Sequence, residues 1–187
     1  MPRYRPHAYG QGDLDRLCGL YAVVNAIRHT IGPIHRFRGG ECLWLFQQLA
    51  LVMARRRVLG TMVAVGLNTR HVQLLLRTSQ ALLADRFGFS IDYQCPYHRR
   101  SDVRLHELTR VIRSATTEPG MAALARFCDH WSVIERDTGK AFRLLDSASF
   151  KQIRHRKVVL GPGVGATDGD KEWVIPATLH ILTYRPS

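Results

Sequence analysis

The chain has 187 residues, 45% of them hydrophobic, and carries a formal net charge of +12. A chain of this length buries one substantial core, so we expect a single domain over residues 1–187. It contains no run of about 18 or more apolar residues, and the residues after Met1 do not resemble a signal peptide, so we expect neither a membrane span nor export. The basic charge favours acidic partners.

Four cysteines, Cys18, Cys42, Cys95 and Cys128, lie far apart along the chain. They lack the close pairs that mark a zinc knuckle or a redox dithiol. We therefore expect unpaired thiols in a reducing cytoplasm, with no metal ion and no organic cofactor.

The first part of the chain predicts helices. The first of them begins with Asp13 or Asp15 as its cap, runs to about His29 and is ended by Gly32-Pro33. Three more are predicted from apolar positions at helical spacing: residues 41–57 with Gly60 as the stop, residues 69–87 with Asn68 or Thr69 as the cap and Gly88 beyond, and a helix opened by Ser101-Asp102 and broken by Glu118-Pro119-Gly120.

Short apolar or alternating runs follow Gly120 and predict strands. The predicted strands are residues 121–127, 131–135, 141–145, 158–160 and 179–184, after an earlier one at residues 89–93. Asp137 and Gly139 suit a hairpin turn between the second and third of the later strands. The sequence thus predicts an α+β fold in which an N-terminal helical part packs on a C-terminal antiparallel sheet.

Cys18 lies in the first turn of the first predicted helix. The unpaired amides and the positive dipole end at a helix N-terminus favour the thiolate, which is the nucleophilic form of cysteine. His130 begins one strand of the predicted hairpin and Asp146 follows the other, so the hairpin places these residues roughly opposite each other. We expect Asp146 to orient the imidazole and His130 to act as the general base for Cys18.

The segment Leu17-Cys18-Gly19-Leu20-Tyr21-Ala22, the pair His130-Trp131 and the spacing from His130 to Asp146 resemble those of papain-like cysteine peptidases. The resemblance is to the compact bacterial type related to bacteriocin-leader peptidases, and the middle of the chain matches nothing in that family. It implies a papain-like α+β fold whose nucleophile helix packs on the sheet. It also implies that Gln11 is the glutamine of the oxyanion hole.

Gln11 lies seven residues before Cys18, one more than the commonest spacing in that family. Asp13 or a loop amide is the alternative oxyanion donor. Negative charge on Asp13 and Asp15 opposes thiolate formation unless a nearby cation offsets it.

Trp131 is expected to pack over the site and shield the imidazole; the other interpretation, a plain core tryptophan, is compatible with the first. Cys128 lies two residues before His130, so the two side chains would share one side of a strand, but no helix dipole would activate the thiol. We therefore interpret Cys128 as structural, together with Cys42 and Cys95.

Three functions are compatible with these residues. The first is a cysteine peptidase that cleaves a peptide or isopeptide bond, for example after a Gly-Gly terminus of a leader peptide or a ubiquitin-like protein. The second is a transglutaminase or a glutamine deamidase, which would use the same triad. The third is an inactive basic module that binds an acidic protein or nucleic acid through clusters at residues 55–57, 98–100 and 154–157. No nucleic-acid-binding motif accompanies these clusters, so the sequence favours the peptidase and a polypeptide partner.

Overall fold

The computed structural model describes residues 17–100, 102–148, 150–161 and 172–186, apart from the side chains of residues 172 and 173. Gln11, Asp13 and Asp15, which have expected roles at the site, lie outside these ranges. The described residues form a mixed helical and sheet structure, which confirms the α+β class.

Five α-helices occur in the described part of the chain, and two short 3-10 turns follow later. The helices are α1 Cys18–Ile31, α2 Gly39–Arg55, α3 Leu59–Val65, α4 Thr69–Phe87 and α5 Leu105–Thr117. None of them is long and apolar enough to cross a membrane.

The helix boundaries follow the local sequence signals unevenly. The predicted α4 is confirmed, because the Asn68 side chain accepts the His71 N–H at 3.0 Å and Gly88 adopts a left-handed φ of 69°. The predicted aspartate cap of α1 is wrong, because the N-cap position is Leu17. The predicted stop at Gly60 is also wrong, since α2 ends at Arg55 and Gly60 lies inside α3.

The start of α5 differs from its prediction too. The helix begins at Leu105, and Asp102 binds Arg100 instead of capping it. Glu107 lies in the first turn, and its carboxylate accepts the Arg104 N–H at 3.5 Å. An acidic side chain at this place also suits the helix dipole.

The sheet has eight strands among the described residues. They are β1 Phe89–Gln94, β2 Met121–Phe127, β3 His130–Asp137, β4 Ala141–Leu145, β5 Gln152–Arg154, β6 Val158–Leu160, β7 Glu172–Val174 and β8 His180–Pro186. The main path runs β1-β8-β2-β3-β4-β5 with every neighbouring pair antiparallel, as predicted. β6 and β7 form an unpredicted parallel pair at its side, which joins β2 through β7.

The sheet is covered on both faces. α1 packs on one face of β2 and β3, and α5 packs on the other. Alternate residues of β2 separate into two cores, because Ala122 and Leu124 join the α1 side whereas Ala123 and Ala125 join the α5 side. Small side chains on this central strand let both helices approach closely. The N-terminus of α1 is thereby held against β3.

Candidate active site

Cys18 is the first residue of α1, and its side chain is turned inward with only 6% exposure. The amides of a first helical turn have no partners within the helix, and the dipole end there is positive. No acidic residue lies in the first turn of α1. The helix itself therefore favours a thiolate at Cys18.

Gly19 lets α1 approach the segment between α3 and α4. A Cβ atom at Gly19 would lie 2.9 Å from both Cβ and Cδ1 of Leu67, too close for an undistorted contact. The Leu67 carbonyl accepts a hydrogen bond of 2.8 Å from Trp131 Nε1 on β3. Leu67 thus links the turn that carries Cys18 to the strand that carries His130.

His130 is the first residue of β3, and its imidazole contacts both other candidate residues. Its Nε2 atom lies 2.8 Å from Asp146 Oδ2, and the side chain also hydrogen-bonds to Cys18. Because the carboxylate occupies Nε2, Nδ1 is the ring nitrogen left for the sulfur. The three side chains form one hydrogen-bonded series in the order Cys18, His130, Asp146.

Asp146 follows β4 directly, and its side chain is fully buried. Its second oxygen, Oδ1, accepts the Ala148 N–H at 2.8 Å and the Phe150 N–H at 3.3 Å. The buried Ser132 hydroxyl lies beside the carboxylate, although Ser132 Oγ has no partner of strict hydrogen-bond geometry in the described structure. These contacts hold the carboxylate in one orientation toward His130.

The surroundings favour the charged form of each group. Burial raises the pKa of the Cys18 thiol. Two hydrogen bonds, from the His130 side chain and the Trp131 main-chain N–H, act against burial together with the charge of His130, and the pKa is lowered. Burial lowers the pKa of His130, whereas its bonds and charge interactions with Asp146 and Cys18 raise it to about 9. Burial raises the pKa of Asp146, but the opposite effects of His130, Ser132 and a main-chain amide are together larger, and the pKa is lowered. The site therefore favours the thiolate, the imidazolium and the carboxylate over the corresponding neutral forms.

A bulge in β3 determines the face on which Asp146 lies. The pairing of β3 with β4 shifts by one residue at Glu135. Beyond this point the register aligns Asp146 with Ser132, and His130 shares the face of Ser132 because alternate strand residues point to one side. Without the extra residue, Asp146 would align with Val133 and face the opposite side. His130 and Asp146 are thus diagonal neighbours, which corrects the prediction that they lie opposite each other.

Trp131 is a core residue. Its ring is buried in the core and lies 5.9 Å from the ring of His180, so the core interpretation describes it. The ring of Phe150 lies 5.5 Å from that of His130 and is tilted by 59°. Phe150 therefore shields the imidazole, a role that the sequence analysis missed because Phe150 reaches His130 only through the turn after Asp146.

The remaining cysteines are not part of this series. No disulfide joins any of the four cysteines, all of which lie in described residues. Cys42 is buried in the core, and Cys128 lies in the turn between β2 and β3 with a φ of 51°. Burial raises the pKa of Cys95 against the weaker effect of Gln73. Gln11, the predicted oxyanion donor, lies outside the described residues, so its position relative to Cys18 stays a prediction.

No protein family matches the chain, and no curated protein or solved structure matches it significantly. Within the ranges that the structure describes, no group of three or more His, Cys, Asp or Glu side chains is placed to hold a metal ion.

Proposed function

We propose that this protein is a cysteine peptidase in which Cys18 is the nucleophile, His130 the general acid and base, and Asp146 the residue that orients the imidazole. The hydrogen-bonded series from Cys18 through His130 to Asp146 carries this proposal. Its support is that a thiol at a helix N-terminus, an imidazole with a raised pKa and a buried carboxylate occupy the three roles that thiol catalysis requires.

In the proposed reaction, the Cys18 thiolate attacks the carbonyl carbon of the scissile bond and the carbonyl oxygen becomes an oxyanion. Collapse of this intermediate breaks the carbon–nitrogen bond, and the His130 imidazolium gives its proton to the leaving amine. A thioester remains on Cys18. Neutral His130 then deprotonates a water molecule, which attacks the thioester, and the acid product leaves as the thiolate is regenerated. Gln11 is the proposed side-chain donor to the oxyanion.

We extend the proposal to a papain-like fold, a polypeptide substrate and a cytoplasmic location. A nucleophile helix packed against an antiparallel sheet that carries the histidine and aspartate supports the fold assignment. Four cysteines that form no disulfide support a reducing compartment. A peptide or isopeptide bond after a Gly-Gly terminus, as in a leader peptide or a ubiquitin-like protein, is the proposed substrate.

Thiol reactivity tests the proposed nucleophile. Iodoacetamide is added near neutral pH, and mass spectrometry follows the alkylation of each cysteine in the wild type and in His130→Ala. We expect Cys18 to react faster than Cys95 and Cys128 despite its burial, and to lose about tenfold or more of its rate in the variant, because the thiolate loses its imidazolium partner. His98→Ala, which removes an exposed histidine in the turn after β1, is the matched control and should leave the rate unchanged.

Slow alkylation of Cys18 that is insensitive to His130 would contradict the assignment of the nucleophile. The reaction is tested separately with peptides and ubiquitin-like fusions that carry a Gly-Gly junction. Wild type should release the amine product and Cys18→Ala should not. Transfer of the acyl group to an added amine, or release of ammonia from glutamine, would instead identify the transglutaminase or deamidase alternative.

A further inference from the structure

A basic groove lies on the α5 side of the sheet, away from Cys18. It has a volume of about 550 Å³ and is lined by Leu105, His106, Thr109, Arg110, Arg113 and His155. We refer to it as the α5 groove. It runs along one side of the helix to the 3-10 turn His155–Lys157.

Asp137 contacts two lining residues of the α5 groove, and its side chain is fully buried. One oxygen of Asp137 lies 2.9 Å from Arg113 Nε, and the other lies 3.0 Å from His155 Nε2 and 2.8 Å from the Gly139 N–H that it accepts. Asp137 therefore holds Arg113 at the groove wall and lies beside the His155 ring. The Arg113 guanidinium offsets the charge of this carboxylate.

One lining residue of the α5 groove, and three cations that lie near His155 in the chain or across a backbone hydrogen bond, have no ion-pair partner among the described residues. Arg110 lies on α5, and Arg154 and Arg156 flank His155 in the chain. Lys140 lies in the hairpin turn between β3 and β4, and its carbonyl oxygen accepts the His155 N–H at 2.9 Å. All four side chains are exposed, and none forms an ion pair with another described residue. Such a cluster attracts a ligand that carries several negative charges.

We propose that the α5 groove binds an acidic segment of the polypeptide substrate. That the bound polypeptide is a substrate rests on the proposed function. The lining supports a peptide over a nucleic acid. Leu105 offers an aliphatic contact, and the ring nearest His155 is Phe142, which lies 4.5 Å away but is buried and cannot stack on a base. Single-stranded nucleic acids are held by a basic groove together with stacking aromatic side chains, and no Phe, Tyr or Trp is among the lining residues.

The groove and the triad lie at opposite ends of β3. His130 begins this strand and Asp137 ends it, so seven residue steps separate them. At a rise of about 3.3 Å per residue, they are roughly 23 Å apart. An extended substrate would need at least about seven residues to connect the two places. The acidic segment is therefore expected well away from the scissile bond, where it would secure the substrate without entering the reaction.

Fluorescence anisotropy of a short fluorescein-labelled peptide of alternating Glu and Gly tests this proposal. The protein carries Cys18→Ala, so turnover does not interfere and the result is independent of whether the peptidase proposal holds. We expect saturable binding that weakens about tenfold or more when Arg110, Arg154 and Arg156 are all replaced by Gln. Replacing Arg55, Arg56 and Arg57 by Gln is the matched control, because it removes the same charge from the exposed end of α2.

The control variant should bind within about twofold of the parent protein, since its arginines lie outside the groove. Equal weakening in both variants would show that net charge alone drives binding and would overturn the proposal. So would an absence of binding. An oligothymidylate that binds more tightly than the peptide and depends on the same three groove arginines would assign the groove to nucleic acid instead, which also overturns it. Circular dichroism of both variants verifies that they are folded.

Discussion

His130 is held between a carboxylate and a thiol, and this position makes its charge a structural as well as a chemical property. Asp146 on one side and Cys18 on the other both favour the protonated ring, and together they outweigh the burial that opposes it. The protonated ring in turn stabilises the thiolate of Cys18. The two side chains therefore favour each other's charged form, and the thiolate is the more nucleophilic form of cysteine.

The raised pKa of His130 predicts how stability depends on pH. Its value of about 9 in the folded protein lies above the ordinary 6.5, so the folded state binds this proton more tightly than the unfolded chain does. The contribution is complete below pH 6.5 and is lost as the pH rises through about 9. In urea unfolding we expect wild type to exceed His130→Ala in stability at mildly acidic pH and to lose that excess at alkaline pH.

Asp146→Asn provides the second comparison in the same measurement. An amide keeps most of the shape of the carboxylate but removes its charge, so the pKa of His130 should fall. The pH at which Asp146→Asn loses its excess in stability over His130→Ala should therefore be lower than the pH at which wild type loses its excess. An excess over His130→Ala that grew toward alkaline pH would mean that His130 is neutral in the folded protein and would contradict the charged pair.

At the level of elements, the start of α1 depends on how closely it approaches the segment before α4. Gly19 is the point of closest approach, and a methyl group there would push Leu67 away from α1 and disturb its bond to Trp131. We expect Gly19→Ala to lower the free energy of unfolding by about 1–3 kcal/mol, as overpacked core positions do. It should also slow the alkylation of Cys18, because β3 and α1 would no longer meet correctly.

Gly60→Ala is the matched control for this glycine substitution. Gly60 lies in α3, and a Cβ atom there would meet nothing within 4 Å. Alanine is the better helix former, so this variant should be unchanged or gain up to about 1 kcal/mol. Both variants are compared by urea unfolding and by the alkylation rate of Cys18. A Gly19→Ala protein as stable and as reactive as wild type would show that Leu67 does not link α1 to β3.

The elements that the sequence predicts well are those with strong local signals. α4 has a capping asparagine at one end and a left-handed glycine at the other, and its bounds follow from them. β2 and β4 are apolar runs bounded by turns, and their predicted ranges are the observed ones. The strands β5 and β7 have three residues each and, unlike the wholly apolar β6, include charged ones, so they show neither an apolar run nor a period of two. The helix α3 spans only seven residues, too few for a clear helical pattern.

At the scale of the whole molecule, some contacts of the candidate site were predictable from local sequence signals and others were not. The contact of His130 with Asp146 was predictable, because a hairpin with a good turn joins their strands. The bulge at Glu135 was not, since a single extra residue leaves no mark on the hydrophobic pattern. The contact of Leu67 with Trp131 was not predictable either, because it joins segments 64 residues apart. The catalytic roles themselves stay predictions until the thiol reactivity is measured.

The charge of the whole molecule gives the last prediction, which concerns the α5 groove. The exposed cations of the groove attract an acidic peptide through water, and salt screens such attractions over a distance of about 10 Å at 0.1 M. Raising the salt from about 50 mM to about 300 mM should therefore weaken binding of the Glu-Gly peptide by roughly tenfold, mostly through slower association. A peptide of alternating Gln and Gly, which lacks the charge, should bind weakly at every salt concentration. Binding of the acidic peptide that is independent of salt would mean that apolar contacts hold it, and the groove cations would then have no part in recognition.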